Sequence, residues 1–241
     1  MENGNQSVWR GGWRVWWRLI AAGVMSAIIY LSLYVLATGF MSVETGYRII
    51  TQEGDKTVIV SEYYYQDGER FDDLDVKVAD GQAVSRIKEI GQAGKTALAI
   101  ASSVLMLSLV AVFVYNCAWK IGTADEASVR VGKMPREPWR GCLIGAVATI
   151  PAAVLYLLLV LGRLGILPGW VFSLYRLLNV PFLPIINACV PATVTAASEV
   201  SFGALLLLIL PLLFVPAVCE IGYALGLKHY SFLDRMTYEE K

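Results

Sequence analysis

One stretch constrains this chain more than any other: residues 201–226, SFGALLLLILPLLFVPAVCEIGYALG. About 20 apolar residues rising 1.5 Å each cover the ~30 Å hydrocarbon core of a bilayer, so this run is long enough to cross one. Residues 19–40, 97–119 and 141–161 have the same character. Without water to bond their backbone groups, such runs cross a membrane as helices. Composition agrees, with 56% hydrophobic and only 17% charged residues, where a soluble domain carries about 25% charge. The predicted fold class is an all-α membrane protein of four transmembrane helices, with a small extracytoplasmic antiparallel β-insert between helices 1 and 2.

Residues 1–18 precede the first span and interleave Trp9, Trp13, Trp16 and Trp17 with Arg10, Arg14 and Arg18. Indole rings favour the headgroup layer and arginines snorkel into it, so this segment reads as an interfacial anchor on the cytoplasmic side. A cleaved signal peptide is the rival reading of residues 19–40. The run exceeds the 7–15 apolar residues of an ordinary signal core, which favours a retained helix.

Residues 41–94 form the one sizeable polar region, in which acids outnumber bases. Residues 47–52 and 57–65 are rich in Val, Ile, Thr and Tyr and flank Glu53-Gly54-Asp55-Lys56, a hairpin signal. Residues 74–78 and 83–90 are further strand candidates. Tyr63, Tyr64 and Tyr65 are a candidate outer binding surface. They equally suit sheet packing, since tyrosine favours strands and alternate rings face opposite sides. Asp72, Asp73 and Asp75 lack the glycine and spacing of a calcium loop. Gly94-Lys95-Thr96 lacks the upstream glycine of a phosphate-binding loop, and Glu89 stands in its place.

Residues 120–140 are a short basic loop with Lys120, Arg130, Lys133, Arg136 and Arg140. Excess Lys and Arg in short loops marks the cytoplasmic side. That predicts the N-terminus, this loop and the tail 227–241 inside and the insert outside. Residues 162–200 are apolar but broken by Pro168, Pro181, Pro184 and Pro191. They are expected as an outer interfacial or re-entrant loop. A fifth span over residues 164–190 is the competing reading, disfavoured by the prolines and Arg176. Pro211 and Pro216 are expected to kink the last span.

Glu220 is the one acidic residue within the apolar runs. An ionisable group in a span costs about 2.5–3.5 kcal/mol on insertion scales and marks a functional candidate. Asn116 and Arg140 are expected near the same membrane boundary. The three form a candidate intramembrane polar site, either handling protons or cations or locking helices together. Gly141 with Gly145, and Gly222 with Gly226, are small-residue pairs that let helix backbones approach closely, within one chain or across a homodimer.

Catalytic patterns are absent. The single histidine, His229, excludes a two-histidine zinc helix, and G-x-S-x-G does not occur. Cys117, Cys142, Cys189 and Cys219 show no C-x-x-C spacing, so a disulfide framework or zinc site is not expected. Lys plus Arg equals Asp plus Glu at 20 each, and no basic tail points to nucleic acid. No catalytic, cofactor-binding or metal residue is predicted.

The order span, β-rich outer insert, span, short inner loop, span, outer loop, span is similar to that of claudins. Residues 41–94 lack the Trp and two Cys of the claudin insert, so the likeness is one of layout. Residues 119–145 (WKIGTADEASVRVGKMPREPWRGCLIG) and 222–238 (GYALGLKHYSFLDRMTY) resemble small uncharacterised multi-pass membrane proteins of Gram-positive gut bacteria. That resemblance implies a bacterial plasma membrane and no particular activity.

The expected function is that of a non-enzymatic accessory protein in the lipid bilayer, binding a membrane protein partner or a second copy of itself. The alternative is a small oligomeric transporter or channel using Glu220 and Asn116. A third reading is a membrane-embedded lipid-modifying enzyme using Glu220 and His229.

Overall fold

The computed structural model describes residues 2–53, 56–66, 71, 76, 78–79, 81–135, 137, 139–191 and 193–228. It is mostly helical, with one small antiparallel sheet. Among these residues, four helical stretches are long and apolar enough to cross a membrane. The chain divides into two compact units, Leu31–Ala99 and Met1–Tyr30 with Ile100–Lys241.

Helix α1 (Glu2–Phe40) is continuous, so the Trp-Arg segment expected to precede the span is its first turns. Gly11 and Gly12 lie within it because the next-but-one helix approaches there. A methyl group on Gly11 would meet Ile144, and one on Gly12 would meet Val147. Helix α2 (Gln92–Arg130) also outruns its apolar core at both ends. Residues 120–130 were expected as loop, but they hold no proline to stop the helix. The helix stops just before Gly132, whose φ of 73° suits glycine. Helix α3 (Arg140–Arg163) follows.

The last span is split into α6 (Phe202–Leu207) and α7 (Leu210–Gly226). Ser201 caps α6 by accepting the Ala204 N–H at 3.2 Å. Pro211 sits in the first turn of α7, where its missing N–H costs nothing, while Pro216 lies inside the helix. At the break Ile209 and Leu212 donate to Leu206 and Ile209 instead of the carbonyls four residues back. Leu205 and Leu208 carbonyls are thereby released. They accept the hydroxyls of Tyr156 at 2.9 Å and Tyr175 at 3.3 Å, which repairs the break from two other elements.

Residues 162–200 fold into α4 (Val171–Leu178), a 3-10 turn Val180–Phe182 and α5 (Leu183–Cys189). α4 and the Val180–Cys189 stretch meet at 88°, the geometry of either a broken span or a re-entrant loop. Arg176 organises the bend. Its guanidinium donates to the Val190, Pro191 and Val194 carbonyls at 2.7–2.9 Å and lies 4.3 Å from the Phe172 ring centroid. Those carbonyls follow the end of α5, where orphan acceptors and the negative end of the helix dipole favour a cation.

In the other unit, β1 (Ser42–Glu53) is the centre of the sheet, between β2 (Lys56–Tyr64) and β3 (Gln82–Ile90). Both pairings are antiparallel, and each contains a register shift. Three of the four expected strands therefore form. The fourth, residues 74–78, lies largely outside the described residues, as do Asp72, Asp73 and Asp75. Gly46 is required by close approach, because a Cβ there would strike the Tyr63 carbonyl.

Candidate functional site

At the end of the bundle where α3 begins, a buried guanidinium anchors a polar network. Arg140 is the first residue of α3 and is only 2% exposed. Its Nε donates to Asp125 Oδ2 at 3.2 Å, its Nη1 to Glu137 Oε2 at 3.4 Å and its Nη2 to Ser7 Oγ. Asp125 Oδ2 also accepts the Tyr223 hydroxyl at 3.2 Å. Ser7, Asp125, Arg140 and Tyr223 come from α1, α2, α3 and α7, so one network ties together all four apolar helices. A buried guanidinium is tolerated only when paired and bonded in this way.

Glu220 lies one turn from Tyr223 on α7, and its Oε2 accepts the Cys142 backbone N–H at 2.7 Å. Cys142 is in the first turn of α3, whose own cap residue, Trp139, makes no side-chain cap. The carboxylate from α7 therefore caps α3, meeting an orphan N–H at the positive end of its dipole. That bond, rather than a contact with Asn116, is where the intramembrane carboxylate goes.

Asn116 lies elsewhere, in a cavity of about 940 Å³ between α1 and α2 that Arg14, Arg18 and Lys120 also line. The candidate polar trio thus separates: Arg140 and Glu220 both brace the start of α3, while Asn116 faces the cationic cavity. The charge of Arg140 in a short loop made it visible in the sequence. Asp125, Tyr223 and Ser7 gave no comparable signal, because Asp125 sat in an expected loop and the other two are ordinary residues at helix ends. The absence of proline between Lys120 and Arg130 was the available clue to Asp125.

The glycine pairs build the packing that brings these groups together. A Cβ on Gly141 would meet Tyr223 and the Glu220 backbone, and one on Gly145 would meet Pro216 and Cys219. Gly222 and Gly226 approach Tyr115, Ala118 and Trp119 of α2, where Gly122 reciprocates against Tyr223 and Gly226. α7 is therefore seated between α3 and α2 by glycines within this one chain. Gly122 was not singled out in the sequence, although it completes the α2–α7 seam.

On the sheet, Tyr63 and Tyr65 stand over Tyr47, with ring centroids 5.5 and 6.5 Å apart, and Phe71 closes on Tyr47 at 5.6 Å. Arg86 lies 5.1 Å from the Phe71 ring centroid and bonds Glu44 at 2.9 Å. Tyr64 points the other way and is 55% exposed. Two of the three tyrosines thus pack the sheet and one remains outward.

The four cysteines are not bonded to one another. Among the described residues no three His, Cys, Asp or Glu side chains gather as metal ligands. His229 lies outside the described residues. Comparison with protein-family models, characterised proteins and solved structures finds no match for this chain.

Proposed function

We propose that this multi-pass membrane protein is a non-enzymatic accessory protein that binds a membrane protein partner through its sheet. The observation that carries the reading is a contrast. Two ionisable groups inside the helix bundle, Arg140 and Glu220, bond to the chain itself. The edge strand β2, by comparison, leaves Val58, Ile59, Val60 and Tyr64 between 43% and 55% exposed. Exposed apolar side chains on an edge strand favour strand addition or face packing by another chain. In this reading the sheet lies on the outer side of a bacterial plasma membrane, with the 121–140 stretch inside as a second polar surface. A transport path through Glu220 and Asn116 has less support, since the two groups serve different surroundings.

Photo-crosslinking from position Ile59 in native membranes tests this reading. The expected result is one stoichiometric crosslinked membrane protein, abolished by Val58→Glu/Val60→Lys at unchanged expression. A chain that purifies alone, with no crosslink from any exposed β2 position, would overturn it.

A further inference from the structure

We infer that the cavity between α1 and α2 is a binding site for the phosphate headgroup of an anionic phospholipid. Arg14 and Arg18 stand one turn apart on α1, and Asn116 and Lys120 one turn apart on α2, all lining the same cavity of about 940 Å³. Among the described residues no Asp or Glu lines it, and the ion pairs formed among them include none of the three cations. By contrast, Arg48, Arg86, Arg130 and Arg140 each have a carboxylate. Three converging cations with no anion beside them among the described residues hold a positive potential that a phosphate neutralises, while the Asn116 amide adds a neutral donor.

The cavity is graded in a way that selects a lipid over a free anion. Proceeding about 10 Å along α1 from Arg14 leads to Ala21, and about 12 Å along α2 from Lys120 leads to Val112 and Phe113. The cationic end is flanked by indoles, which favour the headgroup layer, and the other end is apolar, as an acyl chain requires. A phosphate would occupy the Arg14–Arg18–Lys120 end with its chains descending past Ala21 and Phe113. Cavity volume is sufficient, as ligand sites span roughly 300–1,000 Å³.

Native mass spectrometry of the full chain in non-ionic detergent tests the assignment, with phosphatidylglycerol or phosphatidylcholine added at equal concentration. Phosphatidylglycerol should be retained preferentially. Lys120→Gln should weaken retention about fivefold, and Arg14→Gln/Arg18→Gln/Lys120→Gln on the order of 100-fold. Because the triple variant alters basic residues that also orient the chain, Lys120→Gln alone decides the matter if the triple variant does not accumulate. Glycerol phosphate and inorganic phosphate serve as competitors. Failure of either to displace the lipid at tenfold excess is expected, whereas displacement by inorganic phosphate would show an anion site and overturn the lipid assignment. Equal retention of both lipids, or unchanged retention by Lys120→Gln, would equally overturn it.

Discussion

Glu220 shows how a carboxylate can be stable within an apolar run. Its oxygen meets a backbone N–H that α3 leaves unsatisfied, so two groups that would each be costly in hydrocarbon remove one another's penalty. Replacing it separates charge from hydrogen bonding. Glu220→Gln keeps an acceptor and forfeits the charge–dipole attraction, an effect of about 0.3–2 kcal/mol. Glu220→Ala leaves the Cys142 N–H unpaired, at about 1–3 kcal/mol. Thermal midpoints in mild detergent should therefore fall in the order wild type, Gln, Ala; an unchanged midpoint in the alanine variant would remove Glu220 from its bracing role. Arg140→Ala should be costlier, about 3–5 kcal/mol, because it strands Asp125 beside Tyr223. Arg140→Met with Asp125→Leu should recover much of that loss, since removing both partners of a buried pair is far less damaging than removing one. A double variant no better than Arg140→Ala would argue against the pairing as described.

At the scale of elements, the glycines decide which helices touch. Gly145 faces the Pro216 and Cys219 surface of α7, whereas Gly203 on α6 faces open space. Gly145→Leu should destabilise the bundle by about 1–3 kcal/mol through overpacking, and Gly222→Leu should do the same against Tyr115 of α2. Gly203→Leu should leave the midpoint within about 0.5 kcal/mol. The three variants measured side by side distinguish packing seams from incidental glycines. Much of this was legible in the sequence, where the spacing of Gly141 with Gly145 and of Gly222 with Gly226 flags close approach. The spacing does not say which helix is approached. Nor could it show that the break before Pro211 is mended by Tyr156 and Tyr175, because those hydroxyls come from α3 and α4, about 30 or more residues away in the chain.

For the whole molecule, the basic stretches predict an orientation that labelling can check. In a background with Cys117, Cys142, Cys189 and Cys219 replaced, Val58→Cys on the sheet should react with a membrane-impermeant maleimide in intact cells. Val131→Cys, exposed beyond α2, should react only after permeabilisation, as the excess of Lys and Arg around it predicts. The reverse pattern would invert the topology and move the proposed partner surface to the inner side. The number of apolar runs, the β-character of the polar insert and the separation of the two were determined by sequence alone, because hydrophobic length and strand-favouring composition are local properties. What only tertiary structure decided is the use of each polar group. Arg140 and Glu220 are consumed in holding α3, while Arg14, Arg18 and Lys120 converge on one cavity with no counter-ion among the described residues. Which charge meets which depends on helices distant in sequence being packed face to face, and a linear pattern of residues carries no record of that encounter.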